Sequence, residues 1–313
     1  MTTIAQMLNI KHPVIVAPMF LISNTEMIIA ALENDATAAF PALNYKTDRE
    51  LRSAISEIKA RSNKPFGVNL IVNKSNPKYK TQLNTLIEMK VDYIITSLGS
   101  PEETIKRCKP VGIKVFCDVI NLDFAKKVEA LGADAVIAVN NKAGGHCGPL
   151  SENDLLSELV KHCKIPVISA GGIATGNDLN RVIATGAAGV SVGTVFLAAN
   201  EASISDDYRK ALIDYSAKDI VLTTKLSGSA LTVINTPYVQ QIGTKANFLE
   251  RLMNKNKPLK KYIKLIIAVR GMRQIEKAAL KATYKTVWCA GPAIEHIKSI
   301  RPLKEILNDL VSA

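Results

Sequence analysis

Short apolar segments rich in β-forming residues recur along the first two-thirds of the chain, with amphipathic stretches between them. They are Pro13–Ala17, Ala36–Pro41, Phe66–Ile71, Tyr93–Leu98, Lys114–Val119, Ala135–Asn140, Pro166–Ala170 and Gly189–Gly193, beginning 21 to 31 residues apart. That spacing suits strand–helix–strand units, and the near-continuous apolar character suits parallel strands buried on both faces. Between them, Asn121–Leu131 places Leu122, Ala125, Val128 and Leu131 on one helical face. A weak repeat supports the pattern: Leu131–Val139 and Thr185–Val192 share Gly-Ala-x-x-Val leading into a strand, and Met89–Ile95 is a looser third copy. Each copy predicts a helix end, a stop and the next buried strand. Eight units predict an α/β fold, a (β/α)8 TIM barrel, and no Gly-x-Gly-x-x-Gly follows any strand to suggest a dinucleotide-binding sheet instead.

Past the eighth strand the periodicity changes. Residues 202–285 are expected to be a mainly helical, basic subdomain attached to a barrel of residues 1–201, and 286–313 to return to the barrel and end in a helix. Within the subdomain, Lys257–Arg270 is amphipathic, with Leu259, Tyr262, Ile263, Ile266 and Ile267 on one face.

Composition narrows the class. The chain has 313 residues, 47% of them hydrophobic, enough for a large core and incompatible with disorder. No run approaches the roughly 18 uninterrupted apolar residues of a spanning helix, and the first residues carry no signal-like pattern, so a cytoplasmic location is expected. The five cysteines are scattered and form no Cys-x-x-Cys pair, which supports neither a disulfide framework nor a metal site. The net charge of +12 is unevenly placed: from Lys245 onward there are 15 Lys/Arg against 5 Asp/Glu. Such a surface suits an acidic carrier protein or a plainly solvated helical face, while sparse aromatic interleaving speaks against nucleic acid.

Barrel active sites lie where the strands end. Here the first strand runs into Ala17-Pro18-Met19, the third ends at Asn69, and the fourth at Ser97-Leu98-Gly99. The sixth opens a loop from Asn140 through Lys142, Ala143, Gly144, Gly145, His146 and Cys147 to Gly148. The seventh leads to Gly171-Gly172, followed by Thr175, and the eighth, through Ser191 and Val192, to Gly193-Thr194. Glycines on successive strands let backbone amides approach a phosphate, so a phosphorylated ligand is expected there. His146 lies on a glycine-flanked loop where packing requires no imidazole, and its ordinary pKa suits proton abstraction near neutrality. No second His or carboxylate stands at ligand spacing from it, so a metal role is not expected.

These residues together resemble the nitronate monooxygenase family, formerly called 2-nitropropane dioxygenases: FMN-dependent barrels that also include flavin-type enoyl-acyl-carrier-protein reductases and some quinone reductases. The resemblance rests on Ala17-Pro18-Met19, Asn69, Ala143-Gly144-Gly145-His146, Ala170-Gly171-Gly172-Ile173, Gly193-Thr194 and Trp288-Cys289-Ala290-Gly291. It implies FMN held by its phosphate at Gly171, Gly172, Gly193 and Thr194, with Ser191, Val192 and Gly144 nearby and Met19 and Asn69 near the isoalloxazine. It implies His146 as the base that meets the substrate. Departures cluster on the substrate side. Val139, Asn140 and Lys142 stand where the family has Gln-Gly-x-Glu, Ser191 and Val192 where Gln and Met are common, and Pro292 follows Ala-Gly in place of Gln. The family's Gly-Arg-Pro-Ala-Arg type segment appears as Gly228-Ser229-Ala230-Leu231-Thr232.

The resemblance implies oxidation of alkyl nitronates to a carbonyl compound and nitrite, with oxygen as co-substrate. Lys142 and Ser97 are candidate pocket residues for that substrate. Two other functions compete. One is NAD(P)H-dependent reduction of an enoyl thioester or quinone, with the basic region receiving an acidic carrier protein. The other is a flavin-binding barrel whose substrate half has decayed.

Overall fold

Eight parallel strands close on themselves in the order in which the sequence presents them. The computed structural model describes residues 2–73, 76–224, 230–244 and 287–312. The barrel strands are β1 (Val14–Val16), β2 (Thr37–Pro41), β3 (Gly67–Ile71), β4 (Tyr93–Ser97), β5 (Lys114–Val119), β6 (Ala135–Val139), β8 (Val167–Ala170) and β9 (Gly189–Val192). Closure comes from β1 and β9, where Val14, Ile15 and Val16 face Val190, Ser191 and Val192. The short β7 (Gly145–His146) lies outside the barrel, on the loop after β6.

Alternation along each strand explains why the segments are apolar throughout. Ile15, Ala39, Tyr93, Ile95, Phe116, Ile137 and Ile168 fill the barrel interior, while Val16, Val68, Val115, Cys117 and Val136 pack outward with the surrounding helices. Each strand thus has an inner and an outer apolar face, and only its last residues are free to carry chemistry. Tyr93 stacks on Phe116 with ring centroids 4.9 Å apart. Tyr93 also occupies space that a side chain at Gly67 would need, since a Cβ there would lie 2.1 Å from its ring. The helix Ile4–Leu8 plugs the opposite end: the Ile4 amide donates to the Ala188 carbonyl (2.9 Å), and a Cβ on Gly189 would overlap Ile4.

The internal repeat has a structural cause. Gly132 and Gly186 end their helices in the left-handed region, at φ of 91° and 102°. In the third copy Lys90 takes the same role at φ 48°, so a non-glycine residue fills the glycine position. Asp92 and Asp134 recur as well, each accepting the backbone amide of the preceding strand, Phe66 (3.1 Å) and Val115 (2.8 Å).

Beyond the barrel, the described residues of 202–244 contain the helices Asp206–Asp214 and Pro237–Ile242, and also a hairpin that helical periodicity did not anticipate. Strands β10 (Ile220–Thr223) and β11 (Leu231–Ile234) pair antiparallel, and β11 pairs in turn with β7. All four residues of β11 are buried while Leu222 of β10 is exposed, so the strand pairing rather than an alternation of burial identifies the hairpin. The amphipathic stretch Lys257–Arg270 lies outside the described residues. The last segment crosses back over the molecule: Trp288 stacks on Tyr208 (5.3 Å), whose hydroxyl donates to the Cys289 carbonyl (2.6 Å). Its final helix, Leu303–Val311, packs on Thr25–Glu33 and Gly176–Ala184.

Candidate active site

The strand ends divide the barrel mouth into two unlike sides. On one side, Asn69 in the middle of β3 joins Ser97 and Asp118 near the ends of β4 and β5, in the same inward alternation as Ile95 and Phe116. They form a hydrogen-bonded row. The Asn69 amide nitrogen donates to Ser97 Oγ (2.7 Å) and to the Ile95 carbonyl (3.1 Å), and the Ser97 hydroxyl donates to Asp118 Oδ2 (2.5 Å). Burial pushes the Asp118 carboxyl up to about 6, opposed by the hydrogen bond from Ser97. Leu98, just past Ser97, is a non-glycine residue at φ 61° and exposed. Strain of this kind gathers at functional sites. Sequence reasoning did not select Asp118. The signal was present as a lone acid two residues after Phe116 in the apolar segment Lys114–Val119.

The other side is built from backbone. Gly171 and Gly172 follow β8 at φ of 113° and 77°. A Cβ on Gly171 would lie 2.3 Å from Asn140 Oδ1 and 2.6 Å from the Ala143 amide nitrogen, so the turn admits only glycine. Asn140 is the clamp: its side chain donates to the Gly171 carbonyl (2.9 Å) and accepts the Lys142 amide (2.8 Å). The amides of Gly171, Gly172, Ile173, Gly193 and Thr194 make none of the turn and loop hydrogen bonds among the described residues. A row of unpaired donors at two adjacent strand ends is what an anion requires. Lys142 borders this row, since a Cβ on Gly172 would meet its side chain at 2.8 Å. The sequence-level candidates Lys142 and Ser97 therefore fall on different sides of the mouth.

The remaining candidates take distinct places. Ala17, Pro18 and Met19 leave β1 in a turn fixed by Ser23, whose hydroxyl donates to the Ala17 carbonyl (3.1 Å) and accepts the Met19 amide (2.8 Å). Met19 and Ala17 are the nearest groups to a Cβ built on Gly193. Ser191 is inward and buried, opposite Ala170. Val192 turns its side chain into the outer core, leaving only backbone at the mouth. Thr194 Oγ accepts the Gly291 amide (3.0 Å), and a Cβ on Gly144 would lie 2.8 Å from it, so the loop after β6, the turn after β9 and the last segment meet there. The Thr175 hydroxyl is committed to Asp178 in a helix-capping box and is not the free donor that its position after Gly171-Gly172 suggested.

His146 stands on the loop above. β7 holds it, with His146 opposite Leu231 and Gly145 opposite Thr232, and the Thr232 hydroxyl donates to the Ala143 carbonyl (2.5 Å). His146 is exposed, and the protein packed around its ring lowers its pKa from the ordinary imidazole value, which favours the unprotonated base. Cys147, beside it, has its thiol raised by burial and is not a ready nucleophile. Among the described residues no group of His, Cys, Asp or Glu could hold a metal ion. A surface cavity of about 460 Å3 lies elsewhere, on the helical shell beside Ile105, Lys109 and Leu131.

Comparison with known proteins fits this geometry. The profile of the family described as nitronate monooxygenase matches residues 1–313. A curated relative from Rhodococcus jostii (strain RHA1), (3aS,4S,5R,7aS)-5-hydroxy-7a-methyl-1-oxo-octahydro-1H-indene-4-carboxyl-CoA dehydrogenase, is 31% identical over 246 residues, 79% of this chain and 69% of the relative. A probable nitronate monooxygenase from Staphylococcus aureus (strain MSSA476) is 27% identical over 283 residues, 76% of this chain and 79% of that protein. Among solved structures, FabK from Thermotoga maritima superposes with a TM-score of 0.86 at 28% identity, covering 100% of this chain and 96% of that one.

Proposed function

The chain belongs to the nitronate monooxygenase family and is an oxidoreductase of flavoprotein type, and from that membership we propose that it holds FMN at the barrel mouth and oxidises alkyl nitronates to a carbonyl compound and nitrite with oxygen. The observation that carries this reading is one mouth combining amides after β8 and β9 that make no turn or loop hydrogen bond with His146 held on the β7 loop above. The residues present fit the cofactor. The amides of Gly171, Gly172, Gly193 and Thr194 would hold its phosphate, with Lys142 adding positive charge beside them. That placement gives the family's Glu-to-Lys departure a physical sense. Ala17, Pro18, Met19, Gly144, Asn69 and the Ser191–Val192 backbone would border its ring system. Bound FMN would supply the electron acceptor that no side chain provides.

The chain's own part is binding and proton handling. His146 takes the α-proton of a neutral nitroalkane at its unprotonated ring nitrogen; a preformed nitronate needs no such step. The division into a barrel (1–201), an attached unit (202–285) and a returning segment (286–313), with a cytoplasmic location, completes the proposal. Among the described residues no helix is long and apolar enough to cross a membrane.

The test is the visible spectrum of the purified protein, followed by anaerobic titration with a nitronate, NADH and NADPH. Bleaching by the nitronate alone supports the proposal. Rapid bleaching by NADH or NADPH instead moves the chain to the reductases of enoyl thioesters or quinones, where an acidic carrier would meet the basic residues after Lys245. A colourless protein that binds no added FMN overturns both. His146→Asn should lower turnover of neutral nitroalkane by about 100-fold or more and spare preformed nitronate; equal losses on the two would remove the base role.

A further inference from the structure

The side of the mouth opposite the glycine turns carries a carboxylic acid that neither anion binding nor the His146 base accounts for. We propose that Asp118 is a positioning residue of this site, acting through Ser97 to set whether Asn69 presents an acceptor or a donor to the ring system bound above it. The proposal rests on the FMN reading for the identity of that ring and on the hydrogen-bonded row alone for the switch.

The polarity of the row makes the argument. An ionised carboxylate only accepts hydrogen bonds. Ser97 must then donate to Asp118, and its oxygen accepts from Asn69, which also donates to the Ile95 carbonyl. Both amide hydrogens of Asn69 are committed, and its Oδ1, which accepts no hydrogen bond among the described residues, is the atom left for a ligand. Protonation of Asp118 reverses the row. The acid donates to Ser97, the serine hydrogen is released to donate to Asn69 Oδ1, and the carboxamide rotates to show its NH2 instead. One proton thus exchanges an acceptor for a donor at Asn69.

Geometry keeps the row coupled. Its links of 2.7 and 2.5 Å leave no room for an intervening water, and Asn69 is only 7% exposed. The tip of β4 is held in place, because the Val72 amide donates to the Ser97 carbonyl (3.1 Å) while Leu98 is kept left-handed. The groups facing Asp118 are few. The neighbouring β6 offers the apolar Ile137 and Val139, and on its own strand the Cys117 thiol is pushed up to about 12 and stays neutral. Lys114 lies at the far end of β5, and Lys142 and His146 belong to the loop after β6. None of these charged groups contributes to the shift at Asp118, which comes from burial opposed by Ser97.

The experiment follows the Asn69 side-chain amide by 1H–15N NMR from pH 4.5 to 8 in the full chain, with and without added FMN. The expected result is a titration of those signals with a midpoint near 6, lost in Asp118→Asn and in Ser97→Ala and retained in Ser97→Thr, which keeps the hydroxyl. With FMN bound, its visible band should shift at the same midpoint. Asn69 signals that stay still while Asp118 titrates, or a midpoint that survives Ser97→Ala, overturn the relay. A protein that shows the Asn69 titration but binds no FMN overturns the flavin reading and leaves the row standing.

Discussion

The two sides of the barrel mouth solve the problem of binding with opposite materials. On the β8–β9 side the recognising groups are main-chain amides, in a turn where Gly171 and Gly172 both take positive φ and Gly171 has no room for a side chain. On the β3–β5 side they are three side chains, Asn69, Ser97 and Asp118, linked to one another. Backbone donors carry a fixed partial charge and do not titrate. The side-chain row holds a mobile proton. The first arrangement suits a ligand part that never changes, such as a phosphate, and the second a part whose electron count changes during reaction.

That contrast can be broken from either side. The largest effect is expected at Gly171→Ala. The added Cβ meets Asn140 and the Ala143 backbone at a φ of 113°, so stability should fall by about 3 kcal/mol and retention of FMN on gel filtration should be lost. Next is Asp118→Asn. Because the folded pKa is raised from 3.8 to about 6, the acid favours folding fully only below the unfolded value, and that contribution is lost as pH rises through 6. The asparagine variant should therefore be more stable than the parent at pH 8 by about 2 kcal/mol, with the gap closing by pH 3.5 in urea titrations. The smallest effect belongs to Lys142→Glu: FMN affinity should drop by about tenfold at low salt, and the loss should shrink as ionic strength rises. A loss independent of salt would place Lys142 away from the phosphate.

How much of this was legible depends on what each residue had to satisfy. The eight barrel strands were plain because both faces of each are buried, which leaves an apolar run that few other structures need. The glycine turns and His146 stood out for the same reason in reverse, being residues no packing rule asks for. The β10–β11 hairpin did not stand out, since four-residue runs such as Ile220–Thr223 fit a helix or a strand until a pairing partner is known. Asp118 was hidden inside a correctly placed strand, where its meaning depends on the hydroxyl of Ser97 one strand away. Lys90 was hidden because the left-handed role it fills is normally announced by glycine. Asn140, a departure from the family's glycine, became intelligible only with the turn it clamps.

His146 and Asp118 also differ in how firmly the chain holds them. Asp118 rides on β5, which pairs with β4 on one side and β6 on the other, whereas His146 belongs to a two-residue strand joined, among the described residues, only to β11. So short a pairing opens at small free energy while a closed barrel stays shut. Opening of that pairing would displace the base and leave the barrel, with the half-buried Asp118 in it, in place.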